Sequence, residues 1–80
     1  MTVTLRLFAT FRDYLPPEAM HGGWVVHIAA GETICDLLTT LQVPDDLPRI
    51  VLVNGRYAAE HQVLNEGDHI AVFPPLIGGR

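Results

Sequence analysis

Hydrophobic and polar residues alternate from the start of the chain. Over residues 3–11, Val3, Leu5, Leu7, Ala9 and Phe11 fall on one side and Thr4, Arg6, Phe8 and Thr10 on the other, the period-two pattern of a half-buried strand. Phe8 departs from it, an aromatic among the polar positions. Residues 12–23 contain Pro16-Pro17 and Gly22-Gly23, which interrupt helix and strand alike and predict a loop. Alternation resumes over 24–29, with Trp24, Val26 and Ile28 on one face, so the two strands and their loop predict an antiparallel hairpin.

The period then lengthens. Ile34, Leu37, Leu38 and Leu41 recur at helical spacing and predict one helix over about 33–41, with an apolar stripe facing the sheet. Thr33 is placed to cap it and Asp36 to complete a capping box and favour the N-terminal dipole. Burying each stripe residue contributes about 1.5–3 kcal/mol. Cys35 lies at the edge of the stripe, where a half-buried packing role is expected of it, with a weakly reactive thiol as the alternative. After a loop at Pro44-Asp45-Asp46-Leu47-Pro48, Ile50-Val51-Leu52-Val53 predicts a short strand ending in Asn54-Gly55, a strong hairpin signal. Residues 57–64 are weakly patterned, with room for a short strand. Asn65-Glu66-Gly67-Asp68 predicts a turn and 69–73 a last strand, with Ile70 and Val72 on one face and His69, Ala71 and Phe73 on the other. Pro74-Pro75 then ends ladder pairing. The order predicts an α+β fold, a mixed sheet of four to five strands with one main helix across one face. It divides the chain into a domain over 1–75 and a flexible tail over 76–80.

Eighty residues suffice for one domain with one compact core. The hydrophobic fraction of 49% and charged fraction of 18% argue for a folded chain with apolar surface left for partners. A net charge of −4 and a pI of about 5.3 oppose a nucleic-acid role and favour a basic or apolar partner surface. No leader pattern and no membrane-length apolar run is present, which makes the cytoplasm the expected compartment. Cys35 is the single cysteine, excluding an internal disulfide or a thiolate-bound iron–sulfur cluster. The five basic residues are all arginines. The absence of lysine either spares an activated acyl group from attack by the chain's own amines or reflects a codon bias. His21, His27, His61 and His69 lack ligand spacing, so no metal is expected; no phosphate loop or Ser/His/Asp set is legible.

The most telling segment is Pro75-Leu76-Ile77-Gly78-Gly79-Arg80. Without a Cβ, Gly78 and Gly79 can pass through a channel too narrow for other residues. Residues 75–79 extend at most about 3.3–3.6 Å each, enough to enter a deep cleft while the globule stays outside. The globule then needs a docking surface. Phe8 and Phe73 lie on the strand faces away from the helix, and Ile50 and Leu52 join them if Val51 and Val53 face the core. This predicts an apolar patch, extended by Pro74, Pro75, Leu76 and Ile77; the alternative is two aromatics that merely cover each other.

Val51-Leu52-Val53-Asn54-Gly55, Leu64-Asn65-Glu66-Gly67-Asp68 and Val72-Phe73-Pro74-Pro75-Leu76-Ile77-Gly78-Gly79, in that order, are similar to the ubiquitin-like sulfur-carrier family. That family has a β-grasp fold and includes the small subunit of molybdopterin synthase (MoaD) and the thiamine-pathway carrier ThiS. Phe-Pro-Pro before the tail resembles the molybdopterin branch most. The resemblance implies a carrier with no catalytic residues and no bound cofactor. Its Gly79 carboxylate would be adenylated by a ubiquitin-activating-type enzyme that uses ATP and Mg²⁺, then converted to a thiocarboxylate. A synthase large subunit or another acceptor would take the sulfur. Arg80 departs from the pattern, so a C-terminal peptidase that cuts after Gly79 is also expected. A binding module without sulfur, and a modifier conjugated through Gly79, remain as alternatives. The sulfur-containing product stays open.

Overall fold

A computed structural model describes residues 1–19 and 23–75. Alternating residues form β1 (Thr2–Leu7), β2 (Gly23–His27), β3 (Ile50–Val53), β4 (Arg56–Tyr57) and β5 (His69–Phe73), and α1 spans Ile34–Thr40. The five strands make one mixed sheet in the order β2-β1-β5-β3-β4. β1 and β5 pair in parallel at its centre, with Leu5 opposite Ile70 and Leu7 opposite Val72. The other pairs are antiparallel. Val3, Leu5, Leu7, Val51, Val53, Ile70 and Val72 share one buried cluster with Ile34, Leu37 and Leu38 of α1. The helix therefore covers one face of the sheet, as the stripe predicts, and the alternation of each central strand sets which residues enter the core.

The helix ends follow their local chemistry. Thr33 Oγ1 accepts from the Asp36 N–H at 3.1 Å and an Asp36 carboxylate oxygen accepts from the Thr33 N–H at 3.0 Å, a reciprocal capping box. At the other end Gln42 adopts φ +63°, the Val43 N–H bonds to the Leu38 carbonyl and the Gln42 N–H to the Thr39 carbonyl. This is a Schellman closure without glycine. Asn54 and Gly55 have φ +53° and +84°, the left-handed pair that a tight β3–β4 hairpin demands.

Two expectations are corrected. The strand expected over 3–11 stops at Leu7, and Ala9–Tyr14 forms a 3-10 helix. Ala9 at φ +54° turns the chain out of the sheet, and the Phe11 N–H bonds back to the Phe8 carbonyl at 3.1 Å. Phe11 still reaches the core and is only 1% exposed, because a turn brings it there in place of the pleat. Cys35, expected to be half-buried, is exposed; Ile34, Leu37 and Leu38 fill the space against the sheet, and the intervening helical position is rotated out to solvent.

A polar tie invisible to periodicity joins the loops on either side of the β3–β4 hairpin. Arg49 donates from Nε and Nη2 to the two Glu60 carboxylate oxygens, each at 2.7 Å, and from Nη1 to the Pro44 carbonyl at 2.7 Å. The Arg49 side chain is 6% exposed and that of Glu60 32%. Hydrogen bonds from Arg49 hold the Glu60 carboxyl below its ordinary pKa, against a smaller opposing effect of burial. Because the folded value is the lower one, the ion pair stabilises fully above the ordinary glutamate range and loses its contribution as pH falls through the depressed value. Glu60→Gln is expected to cost about 1 kcal/mol at neutral pH, a figure kept low by the exposure of Glu60. Urea unfolding midpoints of wild type and variant should converge on acidification. A constant gap from pH 7 to pH 3 would contradict the assignment.

Candidate functional site

The face of the sheet opposite α1 carries the residues singled out for docking. β1 and β5 run parallel and end together, with Leu7 opposite Val72. The next residue, Phe8, donates its N–H to the Val72 carbonyl at 3.0 Å, which holds it beside Phe73. The two rings meet edge to face, centroids 5.6 Å apart and planes at 80°, a favourable aromatic geometry. Ile50 of β3 stands opposite Phe73, and Leu52 opposite Ala71 one row further along. Val51 and Val53 are buried while Ile50 and Leu52 are half-buried, so the condition for a joint patch is met. The rings do cover each other in part, yet Phe8 remains 38% exposed. They line a shallow depression of about 260 Å³. Phe8, Phe73, Ile50 and Leu52 thus occupy one face, and half-buried Pro74 and Pro75 continue from it. Leu76, Ile77, Gly78, Gly79 and Arg80, on which the tail and processing expectations fall, lie outside the described residues.

The motifs that carried the family resemblance have a structural task. Asn54 Nδ2 donates to Asp68 Oδ1 at 2.9 Å, and Asn54 Oδ1 accepts from the His69 N–H at 2.9 Å. The other Asp68 oxygen accepts from the Asn65 N–H at 2.8 Å. The Asp68 carbonyl accepts from Thr4 and the Gly67 N–H bonds to the Thr2 carbonyl. One knot of hydrogen bonds therefore joins the β3–β4 turn, the turn before β5 and the first residues of β1, and fixes the start of the central strand whose far end is Phe73. Asp68 is buried and satisfied, which a carboxylate in that position requires. Sequence reading identified these residues as turn formers and missed the bond between them; an Asn and an Asp in successive turns flanking a predicted strand pair were the available signal.

Among the described residues no group of three or more His, Cys, Asp or Glu could hold a metal ion, and no helix is long and apolar enough to cross a membrane.

A mixed five-stranded sheet grasping one helix, with an apolar row where β1 and β5 end and a glycine pair beyond it, defines a ubiquitin-like β-grasp protein. The family model described as Mut7-C ubiquitin matches residues 1–76, and the chain belongs to that family and to the wider ubiquitin-like sulfur-carrier group. Small archaeal modifier protein 3 of Haloferax volcanii is 32% identical over an alignment of 96 positions covering 99% of this chain and all of the relative. Among solved structures, small archaeal modifier protein 1 of H. volcanii superposes with a TM-score of 0.72 at 27% identity, covering 94% of this chain and 98% of that one. A Pyrococcus furiosus protein assigned as subunit 1 of molybdopterin converting factor gives a TM-score of 0.72 at 25% identity, with the same coverage. The chain is thus a ubiquitin-like protein of the modifier or sulfur-carrier kind.

Proposed function

We propose that the chain is a sulfur carrier whose working group is the Gly79 carboxylate. The observation that carries this reading is the Gly78-Gly79 pair placed a few residues beyond β5, the central strand of a ubiquitin-like sheet, where Phe8 and Phe73 offer an apolar surface beside the chain's exit. A carboxylate is a poor acyl donor. Adenylation by a ubiquitin-activating-type enzyme, which supplies ATP and Mg²⁺, makes it a mixed anhydride and releases pyrophosphate. A hydrosulfide-equivalent donor then attacks the carbonyl and displaces AMP, leaving a thiocarboxylate. The carrier contributes the acyl group and the docking surface, and the catalytic groups belong to its partners. The Gly79–Arg80 peptide bond is hydrolysed first by a peptidase. Dependence on ATP places the cycle in the cytoplasm. The sulfur goes to a molybdopterin- or tungstopterin-like cofactor, or another sulfur-containing metabolite, through a synthase large subunit or equivalent acceptor.

A second reading is favoured by the 32% identity to a small archaeal modifier protein: the same adenylate is attacked by a lysine of another protein and the chain becomes a covalent modifier. Intact-mass measurement and C-terminal fragmentation of the untagged protein from its own source test both. Loss of Arg80 with one Gly79 oxygen replaced by sulfur is expected for the carrier, and higher-mass conjugates for the modifier. An unaltered chain without conjugates would overturn both in favour of a binding module.

A further inference from the structure

The charge of the chain is sorted by its fold. All nine aspartates and glutamates lie outside the five strands: in the 3-10 segment, α1, and the loops and turns. The charged or titratable residues in the strands are Arg6, His27, Arg56, Tyr57 and His69. Register separates these. Arg56 stands opposite Val53, a core-facing residue, whereas Arg6 stands opposite Ala71, beside Leu52 in the next strand and two residues from Phe8. Arg6 is exposed, and Tyr57, 83% exposed, continues its row through Leu52. The carboxylates nearest this face sit at its margins. Glu66 accepts from the Thr2 N–H at 2.8 Å at one end, and Glu18 borders a depression with Thr4 and Val25 at the β2 edge.

From this sorting we infer that the open face docks the adenylating partner through an apolar area bordered by carboxylates, with Arg6 as the residue that meets them. The inference rests on the proposed function for the identity of that partner. It runs opposite to the net charge of −4, which by itself favours a basic partner: the nine acidic residues lie outside the strands, and Glu66 and Glu18 stand at the margins of the open face and not within it. A partner carboxylate set opposite Arg6 gains a forked, charge-assisted bond and steers association. A second copy of the chain is the competing occupant, and sedimentation of the wild type distinguishes it.

The test compares Arg6→Glu with Arg56→Glu in chains ending at Gly79. Both change net charge equally, but only the first alters the open face. Association with the adenylating enzyme of the source organism is followed by stopped flow, and ATP–pyrophosphate exchange is measured alongside. Arg6→Glu is expected to slow association about tenfold at low salt, the deficit shrinking as salt screens it, while Arg56→Glu stays within about twofold. Arg6→Gln, expected to lose about threefold, serves if the reversal unfolds the chain. Equal effects of the two reversals, faster association of Arg6→Glu, or self-association of the wild type through this face in sedimentation would overturn the inference while leaving the carrier reading intact. Wild type ending at Gly79 that supports no exchange would sink the carrier reading, and the inference with it.

Discussion

A chain cut back to end at Gly79 is expected to support ATP–pyrophosphate exchange with its adenylating enzyme, and Gly78→Val in that chain to lower kcat/KM by about 100-fold or more. The factor corresponds to about 2.7 kcal/mol of lost transition-state stabilisation. The physical reason is local. Adenylation requires the terminal carboxylate to reach the α-phosphate through a passage sized for bare backbone. A β-branched side chain next to the end widens the chain and restricts the φ and ψ values it can adopt. The substitution lies beyond β5 and beyond the family match over 1–76, so thermal unfolding should not change. The chain retaining Arg80 is expected to give no acyl-adenylate at all, since its Gly79 carbonyl is locked in a peptide bond. Exchange by the Arg80 form at the rate of the trimmed one would refute obligatory trimming, and normal exchange by the Gly78→Val form would remove the steric argument for the glycine pair.

The largest effect on stability is expected from Phe11→Ala. Phe11 is 1% exposed and belongs to the hydrophobic core cluster of the described residues. Truncating such a side chain costs about 3–5 kcal/mol, through lost burial and the cavity left behind. An 80-residue domain has little in reserve, since domains hold about 5–15 kcal/mol and small ones bury proportionally less surface. The melting temperature should fall by about 15–30 °C, at roughly 4–8 °C per kcal/mol in this size range. Phe11→Leu should lose less than half as much. Circular dichroism melts decide the matter; a drop under about 5 °C for the alanine variant would mean that Phe11 is not a principal anchor. The 3-10 segment contacts the ends of both β1 and β5 through this residue's neighbourhood, so loss of Phe11 is also expected to loosen Phe8 and weaken partner binding in variants that remain folded.

What the amino-acid pattern disclosed follows from the range of its signals. Period-two alternation in β1, β3 and β5 and the helical stripe of Ile34, Leu37 and Leu38 are local, and each places its residues in the core as read. The placement of Ile50 and Leu52 on the face opposite Val51 and Val53 is legible for the same reason. Phe11 shows the limit: its spacing fits a strand, and a left-handed Ala9 delivers it to the same core by a turn that alternation cannot register. Cys35 was misjudged because a position about 100° from the stripe is buried or exposed according to how far the sheet extends beneath it. The Arg49–Glu60 and Asn54–Asp68 bonds link residues 11 and 14 positions apart and have no periodic trace. For the site, alternation placed Phe8, Phe73, Ile50 and Leu52 on the face away from the helix, but the exclusion of every carboxylate from the strands became visible only once the strands were delimited.

The central pairing of β1 with β5 also governs when the domain can fold. The first strand and the last are neighbours, and β5 is inserted between β1 and β3, so the ladder cannot close until the chain has been made through residue 73. Topologies dominated by such distant contacts fold slowly, on the millisecond-to-second scale. A chain broken off before His69 has β1 and β3 each facing an empty slot, two unpaired edges of the kind that aggregate or draw proteases. Completion of the globule is thereby coupled to synthesis of nearly the whole polypeptide, and the fold acts as a check on chain integrity, since few molecules that lack the segment leading to the glycines can survive in native form.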